Sequence, residues 1–190
     1  MENIHGLKEF EDAFKAKLIG KKLSSISLLN VNPKYFAFVP NRIVVLDGGI
    51  SFNLDSGETI SYCWNKEMEL MEMVAAEPNT LLGDLDFYEL EEMSKVATET
   101  FREETITAVN FEWNWYQKLD DNFELEDKLY FAPLGMVLHF SNHNSLQLAA
   151  IQFAVDQKDM SLSKASYLPE GDMLVSINEI IEINLPEEEV

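Results

Sequence analysis

Three histidines, His5, His139 and His143, and a single cysteine, Cys63, are the side chains best suited to act as base or nucleophile. Nucleophilic catalysis needs a base beside the nucleophile. Cys63 stands between Tyr62 and Trp64 in an apolar, strand-like stretch with no activating partner in the sequence, so it reads as an inert thiol. His5 falls near the start of a helical pattern and is expected to be exposed. His139 and His143 are four residues apart. On a helix that spacing would share one face, but on a hairpin it puts one residue on a strand and the other in the turn. No HExxH pattern or Cys/His set accompanies them to hold zinc. Gly48-Gly49 has neither a following Lys-Ser/Thr nor a helix to cradle phosphate. No catalytic residue, metal ligand or cofactor is therefore assigned.

The distinctive chemistry is acidic and aromatic. Lys and Arg number 14 against 34 Asp and Glu, a net charge of −20. Nucleic acid, which requires a positive field, is an unexpected partner, and so is an anionic membrane. A basic protein is the partner such a field would draw in. Residues 1–95 carry net −7 and residues 96–190 net −13, so the second half is the favoured side. The densest run, Asp120, Asp121, Asn122, Phe123, Glu124, Leu125, Glu126 and Asp127, lacks the spacing and closing glutamate of a calcium loop. Just before it, Phe111, Trp113 and Trp115 alternate along a strand and so share a face, opposite Glu112, Asn114 and Tyr116. Aromatics in one row are usually core, yet Trp and Tyr also anchor interfaces. The partner-binding residues expected here are Phe111, Trp113, Trp115, Asp120, Asp121, Glu124, Glu126 and Asp127. The other acidic group, Asp84, Asp86, Glu89, Glu91 and Glu92, reads as charge at a helix start, and Lys15, Lys17, Lys21 and Lys22 as its counterpart at a helix end.

These groups must be positioned by a repeated unit. Ile4, Leu7, Phe10, Phe14 and Leu18 form a helical stripe, and a shift of 83 lands on Phe87, Leu90, Met93, Ala97 and Phe101. The same shift carries Leu23, Ile26 and Leu28 onto Ile106, Val109 and Phe111. With a shift of 86, Gly49, Phe52, Leu54, Ile60 and Tyr62 fall on Gly135, Leu138, Phe140, Leu146 and Leu148, around the turns Asp55-Ser56-Gly57 and Asn142-His143-Asn144. Met68, Met71, Met73 and Val74 predict a short helix stopped by Pro78. Ile151, Phe153 and Val155 predict a strand, residues 161–171 a loop, Leu174, Val175 and Ile177 a strand, and Ile181 with Ile183 an edge strand. The expected fold is α+β: an internally duplicated helix-plus-antiparallel-hairpin unit forming one compact pseudo-twofold domain over residues 1–190. Its repeats run over about 1–82 and 83–186, with 187–190 as an acidic tail. One cysteine excludes an internal disulfide framework. The acidic amino-terminal segment lacks the pattern of a signal peptide, and the cytoplasm is the expected compartment.

Size, heavy negative charge, the repeated helix-plus-hairpin pattern and the lack of a catalytic set together resemble immunity proteins that neutralise bacterial toxins delivered between cells. The resemblance is one of general character over the whole chain and rests on no single motif. It implies a stoichiometric inhibitor that covers a toxin's active site and transfers no individual residue. The leading expectation is a non-enzymatic protein that binds a basic partner through residues 111–127. The alternative is a small-molecule binding module with a cleft between the repeats, lined by the aromatics and the Met-rich segment 68–73. An enzyme built on one of the many carboxylate pairs ranks third, and a homodimer paired through the aromatic row remains open.

Overall fold

The computed structural model describes residues 4–32, 42–64, 71–74, 86–119, 125–156, 158, 162–168 and 171–184. Helix α1 (Ile4–Leu18) leads into strand β1 (Leu23–Asn30). It carries Lys15 and Lys17 in its last turn, where they complement the helix dipole, and it gives way at Gly20, whose φ of 81° suits a helix end. Strands β2 (Ile43–Leu46), β3 (Gly49–Leu54), β4 (Thr59–Trp64), β5 (Met71–Val74) and β6 (Tyr88–Glu89) follow. Helix α2 (Glu91–Phe101) then leads into β7 (Ile106–Leu119), β8 (Leu125–Phe140), β9 (Ser145–Val155), β10 (Leu162–Tyr167) and β11 (Asp172–Ile177).

The strands form two antiparallel sheets, ordered β5-β4-β3-β1-β6 and β2-β11-β9-β8-β7, with β10 on the edge of β9. Ile26 and Leu28 of β1 and Ile50 and Phe52 of β3 are buried together in one cluster. From the other sheet Ile106, Met136, Leu138, Leu148 and Val175 enter the same cluster, joined by Phe14 and Leu18 of α1 and by Met93, Ala97 and Phe101 of α2. One core therefore unites both sheets and both helices. Phe101 and Phe140 stack within it at 4.3 Å. A smaller cluster, with Ile43, Val45, Leu134, Ile151, Tyr167 and Leu174, lies on the second face of the larger sheet, and Ile181 and Ile183 pack against it.

Each helix covers a strand far from it in sequence. Ser94 and Thr98 of α2 lie on the outer edge of β1, where their hydroxyls accept bonds from Leu28 N and Ile26 N, both at 2.9 Å. Phe14 of α1 meets Phe111 of β7 edge-on at 4.8 Å. Backbone bonds recur at the sequence shifts noted above. Gly20 N donates to Ile106 O at 2.8 Å, and Glu103 N donates to Leu23 O at 2.9 Å. Gly20 and Glu103 both have positive φ. Asp55 N reaches Lys22 O and Ser141 N reaches Thr105 O, while Gly57 N and His143 N close the two hairpin turns onto Leu54 O and Phe140 O.

Three expectations are corrected. Met71–Val74 is a strand paired with β4, with no helix among those residues. The Met/Glu alternation there fits a strand's period of two as well as a helix's first turn. Leu162–Tyr167 is a strand in place of a loop, because β9 offers it a vacant edge from Ile151 to Val155. Ile181 and Ile183 are not in an edge strand: the ordered pairing of that segment is one parallel bridge between Asn184 and Ser166. Helix α2 also starts at Glu91, later than the stripe from Phe87 suggested. Phe87 and Leu90 still pack against the core from the approach to the helix.

Candidate functional site

Strand β7 pairs with β8 along its whole length, from Ile106 opposite Phe140 to Leu119 opposite Leu125. Strand β8 in turn pairs with β9 only from Gly135 to His139. Beyond Gly135 the two strands leave the sheet as a two-stranded ribbon, and β10 takes the place of β8 beside β9 from Ile151 onward. A register shift between Glu112 and Trp113 marks the departure, as expected of a bulge that redirects a strand pair.

Along one face of this ribbon runs a row of aromatic rings. Phe111 packs against Phe14 and lies 6.4 Å from Trp113. Trp113 stacks on Phe131 at 5.5 Å, and Phe131 touches Trp115 at 4.7 Å. The indole N–H of Trp113 donates to Glu11 Oε1 at 2.5 Å, while Lys15 donates to Glu11 Oε2 at 2.6 Å and lies 5.8 Å over the Phe111 ring. Burial works to raise the Glu11 pKa, but the bonds from Lys15 and Trp113 outweigh it and hold the carboxyl below its ordinary value. The expected row is thus one face, but graded: Phe111 and Trp113 are half-buried and Trp115 is 59% exposed. Phe131 and Glu11, which back and fix the row, were not anticipated. Phe131 is directly opposite Trp115 in register, so only the hairpin pairing could have pointed to it.

Of the acidic residues expected at the site, Asp120, Asp121 and Glu124 lie outside the described residues. Glu126 and Asp127 are on β8, between Leu125 opposite Leu119 and Leu129 opposite Gln117, at the far end of the ribbon from the sheet. Segment 111–127 holds six acids and one lysine, a net charge of −5.

Glu112 points to the other face. Its carboxylate lies over Gly135, where an added Cβ would come within 2.6 Å of Oε2, and it accepts the phenol proton of Tyr167. The bond ties the base of the ribbon to β10 across the fork in the sheet. Burial, and then the Glu112 carboxylate, push the Tyr167 phenol well above its ordinary value. Tyr167→Phe should cost about 1.5–3 kcal/mol, the usual loss for a bond to a charged group. An unfolded tyrosine ionises near 10.0 while the folded phenol keeps its proton. That share of stability is complete below pH 10 and fades as pH rises past it. Urea melts of the two proteins at pH 8 and at pH 10.5 should show the gap between them narrowing at the higher pH. An equal gap at both would show that Tyr167 titrates normally.

His5 is in the first turn of α1. Cys63 is fully buried. His139 is on β8 with Asn110 Nδ2 3.1 Å from its Nε2, and His143 is exposed in the following turn with φ 66°. An open groove of about 570 Å³ lies between α2 and β1, lined among others by Ser25, Ser27, Glu89, Lys95, Glu99 and Arg102. No helix among the described residues is long and apolar enough to cross a membrane. Compared with known proteins, the chain matches no family model, no curated protein and no solved structure.

Proposed function

We propose that the chain is an acidic, non-enzymatic binding protein of the cytoplasm that holds a basic protein against the β7–β8 ribbon, as an immunity protein holds a toxin. The observation that carries this reading is Trp115, 59% exposed on a two-stranded projection whose segment has net charge −5. An exposed tryptophan backed by a second ring is the kind of residue that anchors interfaces, and the net charge of its segment favours a positive partner and speeds its approach. The same charge opposes pairing of this row with a second copy.

We further read the chain as two copies of one helix-plus-hairpin unit in a single pseudo-twofold domain. Supporting this are the backbone bonds that recur at shifts of 83 and 86, and the order β5-β4-β3-β1, which parallels β11-β9-β8-β7. On this reading the ribbon occupies the interval that in the first copy holds β2 and residues 33–41, the latter outside the described residues. Strands β1 and β3 have 8 and 6 residues, whereas β7 and β8 have 14 and 16. An extension that leaves the shared core behind suits a contact made outside the molecule. The small-molecule alternative has the α2–β1 groove as its place, but that groove is open and lined largely by charged and hydroxyl groups, unlike the mostly apolar, enclosing sites of such ligands.

Affinity capture from the source cells tests the proposal, comparing the wild type with the triple variant Asp120→Lys, Asp121→Lys, Glu124→Lys. The expected result is one basic protein held in stoichiometric amount by the wild type, released by high salt and lost from the variant. Equal capture by both would remove the ribbon from the interface.

A further inference from the structure

The aromatic row is asymmetric in a way that specifies its occupant. At its inner end the chain supplies its own cation: Lys15 lies 5.8 Å over Phe111 and is held there by Glu11 at 2.6 Å. Glu11 also fixes Trp113, so one carboxylate organises both the cation and the next ring. At the outer end Trp115 is tilted 41° against Phe131 and 59% exposed, and among the described residues no lysine or arginine is recorded over it. The inner half is a finished carboxylate–cation–ring arrangement, and the outer half is an exposed ring on a segment of net charge −5.

Resting on the reading of the ribbon as a surface for a basic protein, we propose that the outer end takes an arginine side chain of that partner, its guanidinium laid flat on the Trp115 indole. A positive group over an indole face is attracted by the ring quadrupole, most strongly for tryptophan. Arginine suits the site better than lysine because its planar, weakly hydrated guanidinium can stack on a ring and still donate along its edge to carboxylates. A purely apolar anchor would gain the ring contact but would leave the segment's net charge of −5 without a counter-charge. Asp127 is four residues before Phe131 on β8, about 13 Å at the rise of a strand. Further basic residues of an extended partner segment can therefore reach the ribbon tip while one arginine occupies Trp115.

The test uses hexa-arginine and hexa-lysine peptides as probes, with affinities measured calorimetrically at low salt. The proteins are the wild type, Trp115→Ala, and the neutralised variant Asp120→Asn, Asp121→Asn, Glu124→Gln. Trp115 is exposed, so its truncation should leave the fold intact, which a thermal melt checks. The proposal expects hexa-arginine to bind the wild type about tenfold more tightly than hexa-lysine, and Trp115→Ala to abolish that preference. The neutralised variant should weaken both peptides alike and leave their ratio unchanged. If Trp115→Ala keeps the preference while neutralisation weakens both, the arginine platform is wrong and the acidic ribbon stands. If neither peptide binds, or neutralisation changes nothing, the ribbon reading falls and takes the platform with it.

Discussion

Replacing Ser94 by alanine and Thr98 by valine together should cost about 2–6 kcal/mol of folding stability, from about 1–3 kcal/mol for each buried donor left without a partner. Strand β1 has its ladder with β3 on one side. On the other side the N–H groups of Ile26 and Leu28 have no strand to bond. Helix α2 supplies the missing acceptors: Ser94 Oγ for Leu28 N, and Thr98 Oγ1 for Ile26 N, the latter hydroxyl also donating to Ile26 O at 3.1 Å. Both side chains are buried and the replacements preserve most of their volume, so the loss isolates the hydrogen bonds from packing. Urea denaturation measures it, with Lys95→Ala on the exposed side of the same helix as a control expected within about 0.5 kcal/mol. A double variant less than about 1 kcal/mol weaker than wild type would mean that water reaches the β1 edge and replaces the hydroxyls.

Gly49→Ala should be nearly as damaging, at about 3 kcal/mol, while Gly135→Ala should cost about 1 kcal/mol although the two glycines correspond at a sequence shift of 86. An added Cβ at Gly49 would lie 2.5 Å from Cys63 Cβ and 2.6 Å from the Tyr62 carbonyl oxygen, so β3 and β4 must part. At Gly135 the corresponding carbonyl, that of Leu148, is 3.2 Å away, and the closest atom is the mobile end of Glu112 at 2.6 Å. That carboxylate can swing aside, at the expense of its bond to Tyr167. A double-mutant cycle separates the two cases. In the Tyr167→Phe background the cost of Gly135→Ala should shrink, while that of Gly49→Ala should not. Equal costs for the two glycine variants in the wild-type background would show that the strand pair at Gly49 yields more easily than its packing implies.

Sequence pattern was enough to locate what depends on local periodicity. Phe14 and Leu18, four apart, are buried as a helical stripe requires, and the hairpins around Gly57 and His143 are where turn residues interrupt alternating strands. The aromatic row was legible for the same reason, since Phe111, Trp113 and Trp115 keep a strand's period. What depends on contacts between distant segments left no local trace. The strand Leu162–Tyr167 is weakly apolar and exists because β8 vacates the edge of β9. The hydroxyls of Ser94 and Thr98 look like ordinary helix residues until β1 is seen beside them. Glu112 and Tyr167 are 55 residues apart, and nothing in either neighbourhood announces the other. The grading of the row from half-buried to exposed was likewise invisible, because it follows from where the ribbon leaves the sheet.

The crossed packing of the helices bears on how the molecule comes into being. Helix α1 is synthesised first, yet its ring contact is with β7, and β1 waits for α2 to satisfy its edge. A nascent chain that has emerged only through β5 therefore lacks the β7 ring that meets Phe14 and the α2 hydroxyls that bond the β1 edge, a state prone to capture by chaperones. Contacts so distant in sequence make folding slow and concentrate it in a late, collective event. Because Glu11 and Phe14 brace the rings of the ribbon, the aromatic row is assembled in that same event. A chain that ends before β8 should therefore lack the ordered row altogether, with no partly formed version of it.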